Sequence, residues 1–200
     1  TNGSAFFNNS VDIQNIFSRV TGGNLSNIDG LLRANGGANL FLLNPAGIIF
    51  GPNARLDIGG SFFGSTANSI QFADGVEFSA TNRSASPLLT VNVPVGLQFG
   101  QTPAPIQVNG NGHNITRTSF LAPFVRNGTN PGLSVKPGNT IALIGGNITL
   151  NGGVLTAEGG SVELGAIGGE SARVGINQAN TGWTFDYDSV QQFADIELTQ

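Results

Sequence analysis

Cysteine and methionine are missing altogether from this chain of 200 residues, and tryptophan, tyrosine, histidine and lysine occur once each. Without cysteine there is no disulfide framework and no thiolate metal site. Charged residues make up only 10% of the chain and sum to −4, which leaves no basic footprint of the kind that binds nucleic acid. No apolar run approaches the ~18–20 residues of a transmembrane helix, so no stable membrane insertion is expected. Thr1–Asn9 has neither the basic n-region nor the apolar h-region of a signal peptide, so a mature protein, a trimmed chain or a fragment is expected.

Catalytic groups are equally scarce. His113 is the single histidine and lies in a Gly-Asn loop; a triad or zinc site would need partners that this composition barely supplies. Asp186 and Asp188 form a D-x-D with Asp195 nearby, a set of oxygen ligands for a divalent cation in principle. A lone D-x-D is more simply a solvated strand edge, and that is the reading adopted. Glu158 and Glu163 flank Gly159-Gly160 with nothing to pair them as acid and base. No catalytic, metal-ligating or cofactor-binding residue is assigned, and an enzyme is not expected.

What the chain does have is glycine (30 residues), phenylalanine (14) and more than twenty asparagines. In Asn39–Ala67, NLFLLNPAGIIFGPNARLDIGGSFFGSTA, short apolar runs alternate with turn residues, which reads as strand, turn, strand. The breaks keep time: Gly23, Gly30, Gly37, Asn44 and Gly51 are seven apart. Glycine or proline at every step rules out a helical heptad. The same step returns in the pairs Gly145-Gly146, Gly152-Gly153 and Gly159-Gly160, separated by NITLN and VLTAE, which alternate apolar and polar residues. Three such strands make a coil of roughly 21 residues, within the range of repeat architectures. The expected fold is all-β, a parallel β-helix with Gly/Asn corners.

Leu40-Phe41-Leu42-Leu43 is apolar on both pleat faces, so one face should line the core and strands or loops outside the helix should cover the other. Ile13, Ile16, Phe17 and Val20 have helical spacing behind a candidate cap at Ser10. Strands are expected at 28–33, 39–43, 48–50, 55–58, 61–65, 69–72, 76–79, 88–93 and 97–99. Prolines interrupt 101–138, which reads as an excursion from the helix, an external hairpin, with isolated strands at 106–108 and 115–120. Regular coils then resume at Thr140 and run to Ile176, ahead of strands at 183–187 and 196–198. One domain spanning 1–200 is expected, without its amino-terminal cap and continuing past Gln200.

Asn44-Pro45-Ala46-Gly47-Ile48, followed by Ile-Phe-Gly, resembles the filamentous-haemagglutinin-type secretion (TPS) domain of two-partner secretion exoproteins, most like its cyanobacterial members. The likeness extends through Ser18–Gly23 and Ser26–Gly30 upstream. Downstream it takes in FADGVEFSATN, LLTVNVPVGLQFG and the GGNITLNGGVLTAEGGSVELG coils. The resemblance implies a right-handed β-helix with extra-helical strands, and a secretion-recognition module of an adhesin- or haemagglutinin-like exoprotein. It implies passage through the periplasm and recognition by the POTRA domains of an outer-membrane TpsB-type transporter. The destination is the cell surface or medium of a Gram-negative-type cell, and any glycan or cell-surface ligand would fall to a downstream passenger. By position, the secretion motif N-P-x-G-I is Asn44, Pro45, Ala46, Gly47 and Ile48. Ala46 stands where the family usually has Asn, so one side-chain hydrogen bond at that corner should be lost while the turn survives, and a structural role is favoured. Two other readings are carried alongside: a surface adhesin or glycan-binding β-helix, and a polysaccharide-processing β-helix enzyme.

Overall fold

The computed structural model describes residues 3–82, 93–113, 115–126, 132–169, 171–179 and 182–199; among them there are strands and turns but no helix. Strand β1 (Ser4–Phe7) enters first, and the chain then cycles through three directions. Strands β2 (Asn15–Arg19), β3 (Ser26–Ile28) and β4 (Leu31–Ala34) are followed by β5 (Asn39–Leu43), β6 (Ile48–Phe50) and β7 (Arg55–Asp57). Each strand of the second cycle lies parallel to its counterpart in the first: Asn15 opposes Asn39, Ser26 opposes Ile48 and Leu31 opposes Arg55. Strand β8 (Phe62–Ser65) then lies parallel on β5.

After β8 the chain leaves the stack. Strands β9 (Ser69–Phe72), β10 (Glu77–Ser79) and β11 (Pro94–Gln98) pair antiparallel. The chain returns with β12 (Ile106–Asn109), parallel to β6. It forms a short antiparallel hairpin of β13 (Ile115–Thr116) and β14 (Val125–Arg126), and continues to β15 (Leu133–Ser134). A further cycle of β16 (Thr140–Gly145), β17 (Ile148–Asn151) and β18 (Leu155–Thr156) stacks in parallel on β8, β12 and β15. Strand β19 (Ser161–Ala166) covers β16. Strands β20 (Arg173–Gln178) and β21 (Trp183–Asp186) then leave the stack, and β22 (Ile196–Thr199) rejoins it on β17.

Two five-stranded parallel sheets result, β2-β5-β8-β16-β19 and β3-β6-β12-β17-β22, with a third side built from β1-β4-β7 and β15-β18. An external antiparallel sheet runs β10-β9-β11-β20-β21. The molecule is therefore all-β and mostly parallel, as a β-helix requires. One polar corner is repeated along the stack. Asn39 Nδ2 donates to Asn15 Oδ1 over 24 residues of chain, Ser61 N donates to Asn39 Oδ1 over 22, and the Thr140 and Ser161 hydroxyls bond over 21.

Strand alternation sorts the apolar residues into two cores. Leu40, Leu42, Phe62, Ile141 and Leu143 point inward against Ile48, Phe50, Ile106 and Ile148. Phe41, Leu43, Phe63, Ala142 and Ile144 point outward and are covered by Ile70, Phe72, Leu97, Val174, Ile176 and Trp183 of the external sheet. The two-faced run Leu40–Leu43 is thus buried on both sides, with external strands as its second cover.

Several local expectations are corrected. The helical spacing at Ile13–Val20 belongs to a strand, because β2 takes the open edge of β5 and sets Phe17 on Phe41, ring centroids 4.8 Å apart. The single strand expected at 28–33 is two strands, broken at Asp29-Gly30. The strand beginning at Ile106 is not isolated: it lies between β6 and β17, with Ile106 wholly buried. Within 101–138 the β13–β14 hairpin does leave the stack, but the external sheet is reached from 69–98 and 173–186, so the coils do not run unbroken to Ile176. The strand expected at 115–120 shortens to Ile115–Thr116. The strand expected at 88–93 falls, apart from Val93, outside the described residues.

Candidate functional site

The Asn44–Ile48 corner joins the first parallel sheet to the second. Asn44 terminates β5 and is fully buried. Its backbone N–H donates to Ser65 C=O at 2.9 Å, in the coil above. Its side chain reaches the coil below, where Nδ2 donates to Asn24 C=O at 2.9 Å and to Ser26 Oγ at 2.7 Å. Oδ1 accepts the Ala46 N–H at 3.0 Å, the local bond of an Asx-turn. One amide therefore satisfies its own turn and fastens it to the previous coil, which is what a buried polar group must do to avoid a desolvation penalty.

The rest of the motif completes the turn. Gly47 N–H donates to Asn44 C=O at 3.0 Å, closing a four-residue turn with Pro45 at its second position. Asn first, Pro second and Gly fourth are the residues a type I turn prefers. Gly47 has φ 111°, so glycine is required there by conformation; a β-carbon would meet only the movable tip of the half-exposed Leu25 side chain, 2.8 Å from its Cδ1. Pro45 and Ala46 are half-buried. Every hydrogen bond of the corner comes from Asn44 or the backbone, so it closes without a side-chain donor at Ala46.

Ile48 begins β6 and is wholly buried. It opposes Ile106, which opposes Ile148, which opposes Ile196, a ladder of isoleucines up the second sheet. Gly47 C=O accepts from Ser26 N–H, and Ile48 N–H donates to Pro105 C=O. Five consecutive residues thus lock three successive levels of the stack together. What the corner can do chemically is hold shape: it presents no titratable group.

The other candidate residues are dispersed. Half-buried His113 lies at the rim of an open groove of about 400 Å³ lined by Leu150, Leu155, Leu164 and Leu198. The Asp186 carboxylate accepts the Asp188 N–H at 2.9 Å, turning the chain after β21. Glu158 is exposed, whereas half-buried Glu163 accepts the Tyr187 hydroxyl at 2.7 Å. Burial, and then the Glu163 carboxylate, push the Tyr187 phenol well above its usual range. Among the described residues no three His, Cys, Asp or Glu side chains gather as a metal site would need.

Sequence reasoning missed the Asn44 link to Asn24 and Ser26, because the partners lie one coil away and nothing local marks the distance. The helical spacing at Ile13–Val20 also disguised β2, which anchors that coil. A family model for the TPS secretion domain matches residues 1–200. No curated protein and no solved structure matches the chain significantly.

Proposed function

The chain belongs to the TPS secretion domain family, the export module of two-partner secretion exoproteins, and from that premise we propose how its corner motif serves export. The domain is recognised before it folds, as an extended chain in the periplasm, by POTRA domains of an outer-membrane TpsB-type transporter. Unpaired strands of the extended chain add to a POTRA sheet edge by β-augmentation. Outside the cell the domain folds as a single right-handed β-helix and templates the passenger, an adhesin- or haemagglutinin-like exoprotein resembling those of cyanobacteria.

The observation that carries this reading is the complete burial of Asn44. A side chain wholly enclosed between two coils offers nothing to a partner once the domain is folded. The motif therefore acts as the corner lock of the folded state, and recognition belongs to the chain before folding. Composition supports the passage, since a chain with 10% charged residues and no cysteine has few ion pairs and no disulfide to undo. The role proposed is structural and not catalytic, a reading that fits carboxylates used in local contacts, Asp186 with the Asp188 N–H and Glu163 with the Tyr187 hydroxyl.

The test is export of a tagged chain, fused behind a signal peptide, with and without its transporter. Transporter-dependent appearance in the medium is expected, together with retention of the unfolded chain by immobilised POTRA domains. Equal release without the transporter overturns the secretion reading. An Asn44→Ala chain that refolds fully but is no longer exported overturns the corner-lock role while leaving the secretion role standing.

A further inference from the structure

Charge is segregated along this chain. Between Glu77 and Glu158 there is no aspartate or glutamate, while Arg83, Arg117, Arg126 and Lys136 all fall there. A chain of net charge −4 thus contains one long segment whose formal charges are all positive. The β13–β14 hairpin rises from that segment and, among the described residues, pairs with no other strand. Its apolar side chains are uncovered: Phe120 is 82% exposed, Leu121 90% and Phe124 69%, with Ile115 and Val125 about half exposed. An isolated two-stranded hairpin is at best marginally stable in water, and clustered exposed apolar residues mark an interaction surface. Arg117 lies beside this tip, its guanidinium carbon 5.0 Å from the Phe120 ring centroid and 5.2 Å from that of Phe124.

We propose that this hairpin is a peripheral lipid anchor, which seats Phe120, Leu121 and Phe124 in an anionic bilayer surface while Arg117 meets the lipid phosphates. Exposure is greatest at the turn, so the apolar surface is a convex tip. A convex tip suits a deformable apolar medium better than a preformed flat face. The hairpin itself, residues 115–126, carries no carboxylate to repel anionic headgroups, and a guanidinium matches phosphate geometry. The contact lies on the membrane and does not span it. It is independent of the secretion reading, because it concerns the folded domain.

The experiment is flotation of the purified chain with vesicles of phosphatidylglycerol and phosphatidylcholine, against phosphatidylcholine alone. Binding to the anionic vesicles is expected, weakening as salt is raised. The triple variant Phe120→Ser, Leu121→Ser, Phe124→Ser should lose binding about tenfold or more while keeping the wild-type unfolding midpoint, since none of the three packs in a core. Arg117→Gln should flatten the salt dependence. Leu121→Trp should blue-shift its emission on the anionic vesicles, with buried Trp183 as a constant background. A wild-type chain that floats with neither vesicle overturns the proposal, as does a triple variant that binds as well as wild type. A wild-type dimer that the triple variant abolishes, without flotation, overturns it in favour of a second copy of the chain.

Discussion

Phe41 and Phe63 lie ring over ring, centroids 4.0 Å apart and planes within 1°, with the Trp183 indole edge-on to both. Phe17 extends the column downward, so three coils are joined on their outer side by aromatic contacts made one repeat apart. Such pairs add to the burial of each ring, and Trp183 supplies the edge-to-face geometry that aromatic quadrupoles favour.

Phe63→Ala should therefore cost about 3–5 kcal/mol, the range for truncating a buried phenylalanine. Chemical denaturation should show a lowered midpoint with an unchanged slope. Phe17→Ala, at the half-buried end of the column, should cost visibly less.

Asn44→Ala should destabilise by about 1–3 kcal/mol, because the Asn24 carbonyl, the half-buried Ser26 hydroxyl and the Ala46 N–H each lose a partner. Asn44→Asp should be worse than Asn44→Ala near neutral pH, since a carboxylate would face the Asn24 carbonyl without a donor. Its deficit should shrink on acidification, and urea titrations at two pH values would show it.

Glycines that look alike in the sequence should respond differently to a methyl group. A β-carbon on Gly59 would stand 1.9 Å from the Gly36 carbonyl oxygen, whereas one on Gly37 meets nothing within 4 Å. Gly59→Ala should cost about 1–3 kcal/mol or more through backbone displacement. Gly37→Ala should be neutral or slightly stabilising by restricting the unfolded chain. Thermal unfolding of the two single variants compares them directly.

Alkaline stability should depend on Tyr187. Its phenol is raised in the folded state, so the contribution is complete below the usual tyrosine pKa of about 10 and is lost as pH climbs above that value. Tyr187→Phe should flatten the loss of stability above that point. At the acid end Asp29 is held below the usual carboxylate range by the backbone N–H and then the side chain of Asn53. Its contribution is present above the usual value and fades as pH falls through the lowered one, a fall that Asp29→Asn should reduce.

The coil corners were legible because their chemistry is local: glycine or Asn44 at each seven-residue step follows a strand that the structure contains, from β3 at Gly30 to β6 at Gly51. The two-faced strand at Leu40–Leu43 was legible for the same reason, since alternation within five residues decides it. That something outside the helix covers it followed too, but which strands do so was not readable, because Val174 and Trp183 arrive from the far end of the chain. The spacing of Ile13, Ile16, Phe17 and Val20 misled because an available strand edge outweighs weak local propensity. At the motif, Asn44 and Gly47 were readable as turn residues, while the tie to Asn24 and Ser26 depends on how coils are stacked.

The external sheet sets a minimum foldable length. Arg173 Nε donates to Gln71 Oε1 at 2.7 Å across 102 residues of chain, and Trp183 closes over Phe41 and Phe63 from further still. A piece ending at Ala166 would hold most of the stacked coils and yet leave an oily strip of Phe63, Ala142 and Ile144 open to water. Contacts of such long sequence separation also form slowly. Solubility of this domain is thus decided near its last strands, long after the coils that need it have been laid down.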